Sequence, residues 1–108
     1  GVVTFASEDK IIITTLGAEG SRINYRDEQI RVLAARVKNA IDPAGAGDAY
    51  RAGFIAGFMR GFPLKVCGQM GSITSAYTVE EFGTTTHSFT IEEFMRRYKE
   101  NYGEEIKL

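Results

Sequence analysis

Asp42-Pro43-Ala44-Gly45-Ala46-Gly47-Asp48-Ala49-Tyr50 is the stretch on which the reading of this chain turns. Before it the sequence runs in short β-branched segments, and after it apolar residues recur every three to four positions. Residues 44–47 place no bulk over the backbone and lead straight into the helical pattern. The first N–H groups of a helix have no intrahelical acceptor, and the helix dipole puts partial positive charge there. Gly45, Ala46 and Gly47 therefore offer a concave set of donors to an anion, above all a phosphate. Asp48 stands beside that anion site. A carboxylate there is electrostatically awkward, but it makes sense where an alcohol must lose its proton while attacking a phosphoryl group. The same residue also suits a bland role as a helix cap or first-turn acid.

Upstream, Gly1–Phe5 (GVVTF) and Ile11–Thr15 (IIITT) read as strands separated by the turn-like Ala6–Lys10 (ASEDK). The nearly continuous apolar character of the second predicts burial on both faces. Leu16–Gly20 is a glycine-punctuated turn. Ser21–Tyr25 and Gln29–Ala34 flank Arg26-Asp27-Glu28 as a hairpin. Arg36–Ile41 is a further extended stretch, ending at Asp42-Pro43 because a residue before proline is biased away from helix.

Downstream, Tyr50, Phe54 and Phe58 recur at helical spacing, and Gly53, Gly57 and Gly61 form a second, small-residue line. Glycine costs up to about 1 kcal/mol relative to alanine inside a helix. Two such sites in one helix predict a neighbour packed very close to its backbone, with Gly61 as the stop. Pro63 fits the first turn of a second helix, which runs to about Phe82 with Gly83 as its stop. Thr84–Ser88 (TTTHS) is a polar loop. Thr90-Ile91-Glu92-Glu93 matches a capping box, and Phe89 and Phe94 hold the two positions of a hydrophobic staple. Ile91, Phe94, Met95, Tyr98 and Tyr102 mark one face of that helix, and Gly103 ends it. The expected class is α/β, with strands over 1–41 and then three helices over about 48–60, 63–82 and 91–102.

The whole chain has 108 residues, enough for one compact domain. Hydrophobic residues make up 44% and charged residues 25%, which is globular rather than disordered composition. Thirteen Lys and Arg against fourteen Asp and Glu leave a net charge of −1, with no basic excess to grip nucleic acid. The single cysteine, Cys67, excludes an internal disulfide framework and a multi-cysteine metal site. No apolar run approaches a membrane span and no secretory signal opens the chain, so a cytoplasmic setting is expected. The chain starts at Gly1 without an initiator Met, which fits tag removal or one piece of a longer protein.

The 42–50 stretch resembles the C-terminal signature of the ribokinase-type (PfkB) carbohydrate kinases, a family that includes adenosine and nucleoside kinases. The family pattern is Asp, Thr or a near equivalent, any residue, Gly-Ala-Gly-Asp, any residue, aromatic. Pro43 is a mild departure. Ile13-Thr14-Thr15-Leu16-Gly17-Ala18-Glu19-Gly20, a strand followed by Thr-x-Gly-x-x-Gly, resembles the family's nucleotide-side turn and precedes the signature as in the family. Ser72 through His87 resembles the helix and loop that border the adenine. The resemblance covers nearly the whole chain but only the C-terminal part of the family's doubly wound fold. It implies edge strands and one helical layer here, with substrate and lid segments supplied by a missing N-terminal part or a companion chain.

The resemblance also implies roles. Asp48 is the catalytic base, and Gly45, Ala46 and Gly47 are the anion hole that stabilises charge on the transferred phosphoryl group. Thr15, Gly17, Gly20 and Ser72 contact the nucleotide. For Thr15, Gly17 and Gly20 a tight strand-ending turn is the plain alternative, and for Ser72 a packing role. Asp42 belongs to a monovalent-cation site, K⁺ being the candidate, with carbonyls from near Ala44 and the Gly83–His87 loop; structurally it can also bond the turn that follows. ATP is the implied cofactor, with Mg²⁺ to neutralise its phosphates and no carboxylate cage visible for the metal.

Cys67 reads as a small buried hydrophobe, His87 as a loop residue facing solvent or adenine, and Arg51 as a surface or inter-element pair turned away from Asp48. Glu80 and Glu81 lie at the unfavourable end of a helix dipole and call for a local partner. The leading function is ATP-dependent phosphorylation of a primary alcohol on a sugar or nucleoside, leaning to nucleoside. The rival is a non-catalytic nucleotide-binding or interaction module. A homo-oligomer of the longer protein is left open.

Overall fold

The β-branched runs pair into a four-stranded antiparallel sheet in a computed structural model that describes residues 2–5, 10–37, 45–80 and 89–108. Strand β1 is Val2–Phe5, β2 Ile11–Thr15, β3 Ser21–Tyr25 and β4 Glu28–Val32, in the spatial order β1-β2-β3-β4. Ile13 lies opposite Ile23, and Ile23 opposite Ile30, so one face of the sheet is a row of isoleucines. Strand alternation buries Ile11, Ile13, Ile23 and Val32 on that face. Ile12 on the opposite face stays half-buried beside Asn24, which corrects the expectation that β2 is buried on both faces. The β3–β4 turn is the two residues Arg26-Asp27, with Arg26 left-handed at φ 54°. It is tighter than the three-residue turn expected, so β4 begins at Glu28 and ends at Val32 rather than Ala34.

Three helices follow: α1 Ala46–Met59, α2 Leu64–Glu80 and α3 Ile91–Tyr102. Helix α2 stands at the centre. Its Cys67 joins Tyr50 and Phe54 of α1 against the isoleucine face, and its Met70, Ile73 and Ala76 form a second core with Phe94 and Tyr98 of α3. Cys67 is fully buried, as its chemistry suggested.

The glycine line of α1 has the expected cause. A Cβ on Gly53 would lie 2.7 Å from the Met70 carbonyl oxygen and 2.9 Å from the Gly71 Cα. One on Gly57 would sit 3.2 Å from the Cys67 Cα, and one on Gly71 2.7 Å from the Tyr50 carbonyl oxygen. The two helices thus meet backbone to backbone. Helix α1 ends where expected. Gly61 is left-handed, its N–H bonds to the Phe58 carbonyl, and the Phe62 N–H bonds to the Gly57 carbonyl, the paired arrangement of a glycine C-terminal stop.

Helix α3 begins as its sequence specifies. The Thr90 hydroxyl accepts the Glu93 N–H at 3.1 Å and the Glu93 carboxylate accepts the Thr90 N–H at 3.4 Å. The Phe89 and Phe94 rings lie 5.8 Å apart, and Gly103 ends the helix at φ 76°. The partner expected for Glu80 is Arg97 of α3, two-pronged at 2.7 and 2.5 Å. Readings placed on residues 6–9, 38–44 and 81–88, including Asp42, the Phe82–Gly83 helix end and His87, lie outside the described residues.

Candidate functional site

The turn that leads into α1 is built from small residues. Gly45 is left-handed at φ 81°, a conformation open to glycine at little cost, and it is the residue from which α1 starts. A Cβ there would approach the Thr78 methyl of α2 at 3.7 Å. Helix α1 begins at Ala46, two residues earlier than the sequence suggested, because the left-handed Gly45 makes the turn and Ala46 and Gly47 then join the helix. Its first internal bond runs from the Ala49 N–H to the Gly45 carbonyl at 2.9 Å. The N–H groups up to Asp48 therefore precede the helical ladder, and among the described residues no side chain caps the N-terminus. Gly47 is exposed, and among the described residues nothing lies within 4 Å of the Cβ it lacks.

Asp48 is the third residue of α1 and its side chain is 88% exposed. It is free to meet a ligand arriving at the helix end. Arg51, one turn on, brings Nη1 to 4.0 Å from Asp48 Oδ1. This corrects the expectation that the helix turns Arg51 away: residues three apart share a helix face. The pair is solvent-exposed, so it contributes little stability.

The glycine turn after β2 has its own logic. The Leu16 N–H bonds to the Gly20 carbonyl at 2.7 Å and the Gly20 N–H to the Gly17 carbonyl at 3.0 Å, closing a single 3₁₀ turn over Gly17–Glu19. Gly20 is buried at φ 98°, and a Cβ there would collide with the Val32 carbonyl oxygen. That fully accounts for Gly20 as a packing requirement. Gly17, at φ 60°, is exposed, and among the described residues nothing lies within 4 Å of the Cβ it lacks. Thr15 is half-buried opposite Ser21 in the β2–β3 ladder.

Ser21 is a residue that sequence reasoning does not single out. Its buried hydroxyl hydrogen-bonds the Tyr50 hydroxyl at 2.7 Å. This contact ties the residue just after Gly20 to the aromatic two residues after Asp48, so the two glycine turns are braced against one another. Burial pushes the Tyr50 phenol up to about 12, so it is a neutral hydrogen-bonding group throughout the physiological range. The available signal is a serine on a strand otherwise apolar at its inward positions. Ser72 is placed differently. Its hydroxyl accepts the Ala35 N–H at 2.7 Å and so ties α2 to the segment after β4. Among the described residues no group of three His, Cys, Asp or Glu could hold a metal ion. Among the same residues no helix is long and apolar enough to cross a membrane.

The model of the pfkB family carbohydrate kinases matches residues 3–91. A nucleoside kinase of Methanothermobacter thermautotrophicus is 40% identical over 95 residues, which are 88% of this chain and 30% of that protein. Burkholderia thailandensis nucleoside kinase, solved in complex with ADP-inosine, superposes with a TM-score of 0.83 at 33% identity, over 88% of this chain and 30% of that one. The Methanocaldococcus jannaschii nucleoside kinase, an archaeal member of the ribokinase family, superposes with a TM-score of 0.75 at 36% identity, over 82% of this chain and 29% of that one. The chain thus spans about three-tenths of the length of these relatives.

Proposed function

This chain belongs to the pfkB family of carbohydrate kinases, and from that premise we propose that it forms the ATP-side part of a longer kinase. That kinase transfers the terminal phosphoryl group of ATP to a primary alcohol of a nucleoside or sugar. Residues 1–108 are one partial domain in this proposal, and the acceptor pocket and lid come from an N-terminal segment or a companion chain. A nucleoside is the favoured acceptor, because several of the similar proteins are nucleoside kinases.

The observation that carries the proposal is the N-terminus of α1: a left-handed Gly45, no side-chain cap among the described residues, and an exposed carboxylate at its third residue. The N–H groups of Gly45, Ala46 and Gly47 face charge that develops on the transferred phosphoryl oxygens. Asp48 takes the proton of the acceptor hydroxyl as that oxygen bonds to phosphorus. The bond from phosphorus to the bridging oxygen breaks, and ADP leaves. Thr15 and Gly17 lie at the edge of the nucleotide site, Gly20 shapes their turn, and Ser72 supports its adenine side.

The described side chains do not fit a protein-held metal. Mg²⁺ would be held by the nucleotide phosphates, whose charge it would neutralise. Asp42, the proposed K⁺ ligand, lies outside the described residues.

The test is to incubate the longer protein with ATP and a panel of nucleosides and sugars. Stoichiometric ADP and a phosphorylated nucleoside are expected. The 108-residue chain alone should transfer nothing, since phosphoryl transfer depends on positioning both substrates. Nucleotide binding by the longer protein with no transfer to any acceptor would favour a non-catalytic nucleotide-binding module instead.

A further inference from the structure

Arg97 of α3 gathers contacts from the elements that lead to the phosphate-binding turn. Its guanidinium forms the two-pronged pair with Glu80 at the last residue of α2, at 2.7 and 2.5 Å. Nη2 also donates to the Arg36 carbonyl at 3.0 Å. The guanidinium lies 4.5 Å from the centre of the Tyr77 ring, and the stack continues to Phe89, 4.4 Å from Tyr77 and nearly parallel. The pair is largely out of solvent, with Arg97 13% and Glu80 17% exposed. A paired charge held there by several partners fixes geometry more than it adds stability.

The partners of Arg97 are not scattered. Arg36 stands one residue from the end of the described segment that runs toward the glycine signature, and Glu80 and Phe89 bound the segment between α2 and α3. The last turn of α2 that Glu80 closes also carries Thr78. The Thr78 methyl is the nearest group to the Cβ that Gly45 lacks, and its hydroxyl is held by the Thr74 carbonyl at 3.2 Å. Arg97 thus holds the last residue of α2 through Glu80, and the same helical turn carries the Thr78 methyl that borders the residue from which α1 starts.

We propose that Arg97 is a positioning residue for the phosphate-binding turn, holding the last turn of α2 against Gly45 although it touches no substrate itself. This rests on the reading of the α1 N-terminus as the phosphate site. Loosening the clamp lets the end of α2 shift relative to α1, and the Gly45–Asp48 turn loses the wall that fixes it.

The test measures the affinity of the longer protein for AMPPNP by calorimetry, beside its transfer activity and its thermal midpoint. Arg97→Met should weaken AMPPNP about tenfold, within the range a misplacement of about 1 Å can cost. Arg97→Lys keeps the charge but loses the fork, and should weaken it by about threefold, so the test stands even where the Met variant fails to fold. Ile73→Val, at a buried site of the same α2–α3 core, loosens that interface generally and should leave AMPPNP affinity unchanged. Unchanged affinity in Arg97→Lys, or an equal loss in Ile73→Val, would overturn the positioning role. If the protein phosphorylates its acceptor while both Arg97 variants bind AMPPNP normally, the proposed function stands and only this inference falls.

Discussion

Replacing Gly53 by alanine tests the backbone-to-backbone contact of α1 and α2, on which the placing of the Gly45–Asp48 turn depends. The added Cβ would lie 2.7 Å from the Met70 carbonyl oxygen and 2.9 Å from the Gly71 Cα. It would also meet the Thr74 hydroxyl, which itself bonds the Met70 carbonyl at 2.8 Å. A rotating side chain could relieve the last contact, but the first two are backbone atoms of a buried helix. The helices must separate by roughly 0.7 Å to restore ordinary contact. Overpacking costs about 1–3 kcal/mol, and clashes with two backbone atoms place this case in the upper half of that range. Alanine returns up to about 1 kcal/mol of helix propensity. The net loss is therefore about 1–2 kcal/mol, and in a domain of this size each kcal/mol lowers the midpoint by about 4–8 °C. Thermal unfolding followed by far-ultraviolet circular dichroism should show a fall of about 5–15 °C. Gly47→Ala is the internal control, because its Cβ enters open space and should cost nothing. A Gly53→Ala protein as stable as wild type, or more so, would refute the close-approach argument.

Other consequences are as specific. Tyr50→Phe strands the buried Ser21 hydroxyl and should cost about 1–3 kcal/mol in urea unfolding. The Ser21→Ala, Tyr50→Phe double variant should lose clearly less than the sum of the single losses, and strict additivity would deny the coupling. Burial raises the Cys67 thiol from 9.0 to about 11, so folding favours the neutral thiol. Its contribution is complete below pH 9 and is lost as the pH rises toward 11; the urea midpoint of wild type should fall more steeply across that window than that of Cys67→Ala. Gly47→Val should lower ATP affinity while changing stability by less than about 1 kcal/mol, since among the described residues its Cβ meets nothing within 4 Å but stands at the donor turn. Normal ATP binding by that variant would remove the anion from this helix end.

What is legible in the sequence is chiefly local. The Thr90 cap, its Glu93 partner and the Gly103 stop lie within one helix and are specified by their own neighbours, so α3 has its expected bounds. The glycine line at Gly53 and Gly57 is informative because a helix carries such residues at a cost, and only a close partner compensates. The identity of that partner, α2, is not visible in the sequence. Nor is the bond of Ser21 to Tyr50 or of Ser72 to Ala35, since each joins residues 29 or more positions apart. Glu80 signals an unmet charge but not which of many cations answers it. The start of α1 is displaced from its expected place because Ala46-Gly47 favours no particular conformation on its own; the left-handed Gly45 decides it. Arg51 escapes a reading based on the signature, which gives order along the chain and not the shared face of residues three apart.

Asp48→Asn in the longer protein tests most directly whether Asp48 is the base at the proposed phosphate site. The side chain is 88% exposed and nearly isosteric with asparagine, so fold and nucleotide affinity should be kept. Transfer to the acceptor should fall by about 10² to 10⁴ in kcat, the usual loss of general-base help. A variant that binds ATP normally yet keeps near wild-type kcat would make Asp48 a first-turn helix acid and nothing more, and would contradict the account.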